Sequence, residues 1–486
     1  MRRFTLSLAV VLLYCTSVVA TDYAVGPGQA YGSISQVPWE SLGPGDRVLI
    51  HYRPTPYAEK FVIGVSGSPT DPLIVRGVPG PNGERPVIDG RNAVTRQALD
   101  FWGEQRGVIK VGGSSVPSNS VPSHIVIEGL EIRSAHPDYT FIDDSGMTST
   151  YSSNAASIYV EKAQNLIIRD CEIHDSGNGL FIGAFNGDTR DILIAGNNIH
   201  SNGIVGSIFE HNAYTEAIGL TYEANRFGPL RPGALGNNLK DRSAGLIVRY
   251  NWIDSGNRQL DLVDGGSAPA AHADYDRTHV YGNVLIERSG EGNSQIVHYG
   301  GDSGNTANYR KGLLHFYHNT VYSTRSGNTT LLRLSTNDET ADVRNNAIFV
   351  TASGSSLALL NDAGTVELSG NWLKQGWQAG HGSLTGSIVI GLGNIEDAEP
   401  GFVDPGSEDF HPATDSGLRE SAVAAHPETN DLPTDRQYQR HLGSVARDTA
   451  PPMDIGALGV RREELFRDRF ERSMRALLPD SLTGAN

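Results

Sequence analysis

An all-β solenoid, a right-handed parallel β-helix, is the fold class that this sequence predicts. Three observations predict it. A short motif built on apolar runs recurs along the chain. Asn stands at one fixed place in most copies. The composition is rich in glycine (56 residues) and only 19% charged. Such a composition suits many short strands joined by turns better than a helical protein.

The motif is an apolar run, two small or polar residues, Asn or a substitute, any residue, then an aliphatic. It runs from Ile125 to Ile132 and from Leu166 to Ile173, and recurs as Ile192-Leu193-Ile194-Ala195-Gly196-Asn197-Asn198-Ile199. Further copies end in Asn225 and Phe227, Asn251 and Ile253, Asn283 and Leu285, Asn319 and Val321, Asn346 and Ile348, and Asn371 and Leu373. Counted from Cys171, which takes the Asn place in its copy, the steps are 26, 28, 26, 32, 36, 27 and 25 residues. A repeat of this length holding strands of a few residues marks a solenoid. The leucine pattern of leucine-rich repeats is absent, and a propeller blade needs about 40 residues. A parallel β-helix remains.

Each element then follows. Alternate residues of a run are apolar and can point into a narrow core. The Asn falls where the chain turns, and stacked Asn side chains can satisfy one another and the turn backbone. The steps of 32 and 36 imply loops inserted after Asp264 and near Gly300, where functional residues often sit. Gly43 to Ile50, Pro72 to Arg76 and Pro86 to Gly90 read as the first coils. Glu399 to Pro405 and Asp454 to Ala457 read as closing segments. One β-helix domain is expected over 21–460. Leu465, Phe466, Phe470, Met474, Leu477 and Leu478 have helical spacing, so 461–486 is expected to form a terminal helix over the solenoid end.

Arg2 and Arg3, the apolar run Phe4 to Leu13, and the small residues Val18 and Ala20 read as a cleavable export signal over 1–20. Export to the periplasm or outside the cell is expected. The mature chain then has one cysteine, Cys171, and no internal disulfide, so its core must stabilise it. Cys171 reads as a buried small hydrophobe. The net charge is −16; removing Arg2 and Arg3 leaves 37 basic against 55 acidic residues, or −18. That disfavours nucleic acid and anionic membranes as partners. A monomer is expected.

Residues 207–264 concentrate titratable groups beyond what a structural coil needs. Tyr214 to Lys240, Glu216 to Arg242 and Asn225 to Asn251 are all 26 residues apart. Equal offsets in successive coils stack about 4.8 Å apart. Tyr214 should therefore meet Lys240, Glu216 should meet Arg242, and His211 should lie beside Tyr214. One coil further on lie His298 and Tyr299, which could extend a substrate groove along the solenoid. Trp102, Trp252, Trp372 and Trp377 could stack on sugars or pack inside.

With this segment the sequence resembles the parallel β-helix polysaccharide lyases of the pectate lyase-like superfamily, and locally the alginate and dermatan sulfate lyases. Those enzymes carry a catalytic Lys shortly before a strand reading Arg-Tyr-Asn. Lys240 followed by Arg249-Tyr250-Asn251 is similar. The place of the family's catalytic Arg, one strand later, holds Asp261, with Arg258 three residues away. The resemblance implies β-elimination on a uronic-acid-containing polysaccharide.

The chemistry explains the residue types. Neutralising a uronate carboxylate stabilises the carbanion-like state; a base takes the adjacent proton and an acid protonates the leaving oxygen. Lys240 is the candidate base, provided nearby positive charge lowers its pKa. Arg242 is the candidate carboxylate partner, and Tyr214 or His211 the acid or an alternative base. Arg249, Arg258, Asp264, His298 and Tyr299 are candidate substrate contacts. The same groups could form only a salt-bridge ladder. Alternatively, Glu216, Asp261 and Asp264 could serve as the acid and base of a glycoside hydrolase. They could also ligate calcium through hard oxygens. A uronan epimerase and a non-catalytic carbohydrate-binding or adhesion solenoid are the other readings.

Overall fold

The computed structural model describes residues 20–118, 121–441 and 443–461. Three long sheets of 13, 11 and 13 strands run side by side along the chain. Each full coil gives one strand to each sheet in turn. Leu246–Arg249 goes to the first sheet, Trp252–Asp254 to the second and Leu260–Leu262 to the third. Neighbours within these sheets pair in parallel, apart from an antiparallel hairpin of Thr140–Ile142 with Thr148–Thr150 at one end of the third. The parallel β-helix expected from the repeat is the fold. The export signal and the terminal helix fall outside the described residues.

The narrow core is made by strand parity. Leu246, Val248, Ile253, Leu260 and Leu262 all point inward and are fully buried. Adjacent coils place like residues on top of one another, so Ile168, Ile194 and Tyr222 are register partners in sequence along the first sheet.

The turn between the first and second sheets is held by the repeated Asn. Asn197 Oδ1 accepts the Cys171 N–H at 3.0 Å, and Asn225 Oδ1 accepts the Asn197 N–H at 3.0 Å. The series continues through Asn251, Asn283, Asn319, Asn346 and Asn371, and Asn394 extends it by a further coil. Each side-chain amide also reaches a backbone carbonyl one coil back, as Asn225 Nδ2 does to Ile194 at 2.8 Å. The residue before the ladder Asn takes the left-handed conformation. It is glycine at Gly196 and Gly282, while Ala224 and Tyr250 adopt it with φ of 55° and 56°. The ladder offsets the resulting strain. Cys171 is buried here, and burial pushes its thiol up to about 12, so it is an inert core residue.

After the last coils the chain returns along the outside of the second sheet as a strap. Phe402, Phe410, Leu418, Tyr438 and Ile455 cover Trp252, Tyr322, Phe349 and Trp372. Tyr317 Oη donates to the Leu432 carbonyl at 2.8 Å, and Tyr250 Oη to that of Pro433 at 3.0 Å. Trp252 and Trp372 are thus packing residues, whereas Trp102 is exposed. The third sheet stays clear of this apolar cover.

Candidate functional site on the third sheet

The predicted register holds on the third sheet. Tyr214 is the register partner of Lys240, Lys240 of Asp261, and Asp261 of His298. Each is an outward residue in a short strand whose neighbours point into the core; Leu239, Asp241, Leu260 and Leu262 flank them and are fully buried. Arg333 continues the row at one end. Phe181 continues it at the other, its ring 5.1 Å from that of Tyr214.

A loop closes over this row, at the insertion that the 36-residue step foretold. Asp302 lies on the loop after the strand Gln295–Tyr299. Its carboxylate bridges two cations, at 2.5 Å from Lys240 Nζ and 2.8 Å from Arg242 Nη2. Asp264 holds that loop by accepting the Asp302 N–H at 2.8 Å and the Ser303 hydroxyl. Inside the coil, Arg310 anchors the far end of the loop. It is fully buried, bonds the Val263 carbonyl at 2.8 Å and pairs with Asp241 at 3.1 Å.

Lys240 also donates to Asp261 Oδ2 at 2.7 Å. Asp261 receives Asn237 Nδ2 at 2.8 Å and the His298 ring at 2.8 Å through Nδ1. Burial alone would raise the Asp261 carboxyl, but the His298 hydrogen bond and the Lys240 ammonium outweigh it and hold the group well below the usual carboxylate range. Asp302 is shifted the same way: burial opposes, and Lys240 and Arg242 prevail. Both are carboxylates at neutral pH. His298 is pushed down by burial in spite of Asp261, so its ring is neutral. With Nδ1–H given to Asp261, Nε2 accepts from Ser335 Oγ at 2.9 Å.

Arg242 Nε donates to the Tyr214 phenol oxygen at 3.0 Å. His211 packs edge-on against Tyr214 with centroids 5.5 Å apart, and its Nδ1 accepts the Asn237 N–H at 2.9 Å. Burial, reinforced by Lys240, pushes the His211 imidazole down to about 3. It is therefore a neutral ring that orients Tyr214.

Several expectations are corrected. Lys240 sits between the carboxylates of Asp261 and Asp302, so it is placed as a cation that grips carboxylates and not as the free amine the base role needs. Glu216 follows the register beside Arg242 as expected, but its carboxylate accepts the Gly266 N–H at 2.5 Å, and burial raises its pKa. Tyr299 follows outward His298 by one residue, so parity turns it into the core, where it is fully buried. Arg249 lies on the first sheet, paired with Glu223 at 2.5 Å and with Tyr281. Arg258 does flank the row, bonded to Gln295 at 2.6 Å and 3.6 Å from Asp261. Asp261, Asp264 and Glu216 do not fit calcium. Their oxygens are taken by Lys240, His298, Ser303 and Gly266, and among the described residues they do not converge as a ligand set. Sequence reasoning missed Asp302, Arg310, Ser335 and Asn237. The one available signal was the 36-residue step that marked the Asp302 loop.

No known family model matches the sequence, and no curated protein does. Among solved structures, the chain is similar to pectate lyase Pel9A, at 12% identity over 92% of this chain and 98% of that one, with a TM-score of 0.51. A GH136 lacto-N-biosidase from Eubacterium ramulus aligns at 11% identity over 76% of this chain and 68% of its own, with a TM-score of 0.35. At such identities the likeness is one of fold. The protein is a parallel β-helix, similar in fold to pectate lyase Pel9A.

Proposed function

We propose that the protein is an exported polysaccharide-degrading enzyme that cleaves a uronic-acid-containing glycan by β-elimination on the third-sheet face, acting as a monomer. One observation carries this reading: Lys240 and Arg242 converge on a single carboxylate, that of Asp302. Two cations already gripping one carboxylate form a fork suited to the uronate group of a substrate, which would take the place of Asp302.

The roles follow from that fork. Arg242 and Lys240 neutralise the uronate carboxylate and stabilise the carbanion-like state. The Tyr214 oxygen, to which Arg242 Nε donates at 3.0 Å, takes the proton next to the carboxylate. The electron pair forms the new carbon–carbon double bond as the glycosidic carbon–oxygen bond breaks. The departing oxygen takes a proton from the Lys240 ammonium, and Asp261 with His298 holds that ammonium in place.

A hydrolase is the second reading, favoured by the raised Glu216 carboxyl, a suitable general acid. Asp261, held ionised, suits no acid role. Incubating the mature protein with uronic and neutral polysaccharides separates the two. Unsaturated uronate appearing with new reducing ends is expected. Reducing ends without unsaturation would move Glu216 to the front and overturn the elimination reading.

A further inference from the structure

We propose that His315, His426 and Glu428 form a site for a zinc-class divalent metal that fastens the returning strap to the first sheet. One donor atom from each of the three lies within 4.8 Å of the other two. His315 comes from the strand Leu313–Tyr317 of the first sheet; His426 and Glu428 flank Pro427 on the strap. Two separate parts of the chain therefore converge, which a metal could lock and a surface hydrogen bond would hold only weakly.

The placement is specific. His315 Nε2 stands 3.2 Å from the Glu428 carboxylate, a spacing close to that between two ligands of one tetrahedral ion. The His426 ring lies 4.9 Å from that of His315. Behind them His279, the register partner of His315, stacks at 4.8 Å and 10°. Asp342 follows His315 in the same row and is held by Arg344 at 2.8 Å. His315 is 2% exposed and its Nδ1 is buried without a hydrogen-bond partner, as is that of His279. Two imidazoles with one carboxylate suit zinc and its neighbours in the series, and suit calcium or magnesium poorly. His426 Nδ1 presently accepts the Glu428 N–H at 3.3 Å, a long bond that metal ligation would replace or leave beside an Nε2 donor.

The test uses the mature full-length chain, stripped with chelator and dialysed against zinc. Bound metal is counted by elemental analysis, and Tm is read with and without zinc. The wild type should hold one more equivalent than His426→Ala, and zinc should raise its Tm and slow proteolysis of the strap. Glu428→Gln should bind at least about tenfold more weakly, and Glu428→His should restore binding. Glu428 is exposed and His426 half-buried, so the metal-free Tm of the Glu428 variants should match the wild type and that of His426→Ala should stay close to it. Equal zinc content in wild type and His426→Ala, no bound zinc, or displacement of zinc by calcium would each overturn the proposal.

Discussion

Two rows of polar side chains run along this solenoid, and they differ in kind. The Asn ladder is chemically uniform: each side chain is met by an identical one a coil away, and donors and acceptors close on each other. The third-sheet row from Tyr214 through Lys240 and Asp261 to His298 is mixed, changing chemistry at every coil. A repeated polar residue in a repeat protein is spent on its own backbone. A run of unlike groups in the same register is not needed by the fold, and its charges must answer to something else.

Breaking each row should therefore break different properties. The largest effect is expected at the mixed row. Lys240→Ala or Arg242→Ala should lower turnover by about 10²–10⁴-fold while circular dichroism stays native. Tyr214→Phe should do likewise with substrate binding retained, as steady-state and binding measurements would show.

Next come the groups that shape the site from inside. Arg310→Ala leaves Asp241 buried and unpaired, which should cost about 3–5 kcal/mol in denaturant unfolding. Asn251→Ala removes one rung of the uniform row. It strands the Asn225 N–H, which should cost about 1–3 kcal/mol with little change in the kinetics of the folded protein.

Acid should weaken the protein in a defined window. An unfolded His titrates near 6.5, whereas His211 in the fold titrates at about 3. Between those values the unfolded chain takes up a proton that the folded chain refuses. The contribution is thus present above about pH 6.5 and is lost as the pH falls, the loss reaching about 2 kcal/mol at pH 5. Unfolding free energies at pH 8 and pH 5 should differ less in His211→Gln than in the wild type. The smallest effect belongs to Tyr299→Phe, which loses one 3.3 Å bond to the Gly312 carbonyl. It should shift stability by no more than about 1 kcal/mol and leave turnover unchanged.

The contrast also explains what could be read from the sequence. The Asn steps carry the register of the coils, and the same step of 26 aligns Tyr214 with Lys240. Registers stop at insertions. Asp302 lies in the 36-residue step with no counterpart a coil away, so its bridge between Lys240 and Arg242 was invisible. Parity is legible in the sequence: Val297 and Tyr299 face inward around His298, as alternation requires. Arg249 failed for a different reason. Its Arg-Tyr-Asn neighbourhood belongs to the ladder turn, two strands of the coil away from the third sheet.

The carboxylate fork is tested most directly by binding to the Tyr214→Phe protein. Calorimetric titration would compare an oligouronate with the same oligosaccharide after reduction of its carboxyl groups. The acid form should bind, the reduced form should bind at least about tenfold more weakly, and Arg242→Ala should erase the difference. Equal affinity for the two forms would contradict the assignment of Lys240 and Arg242 as the uronate site.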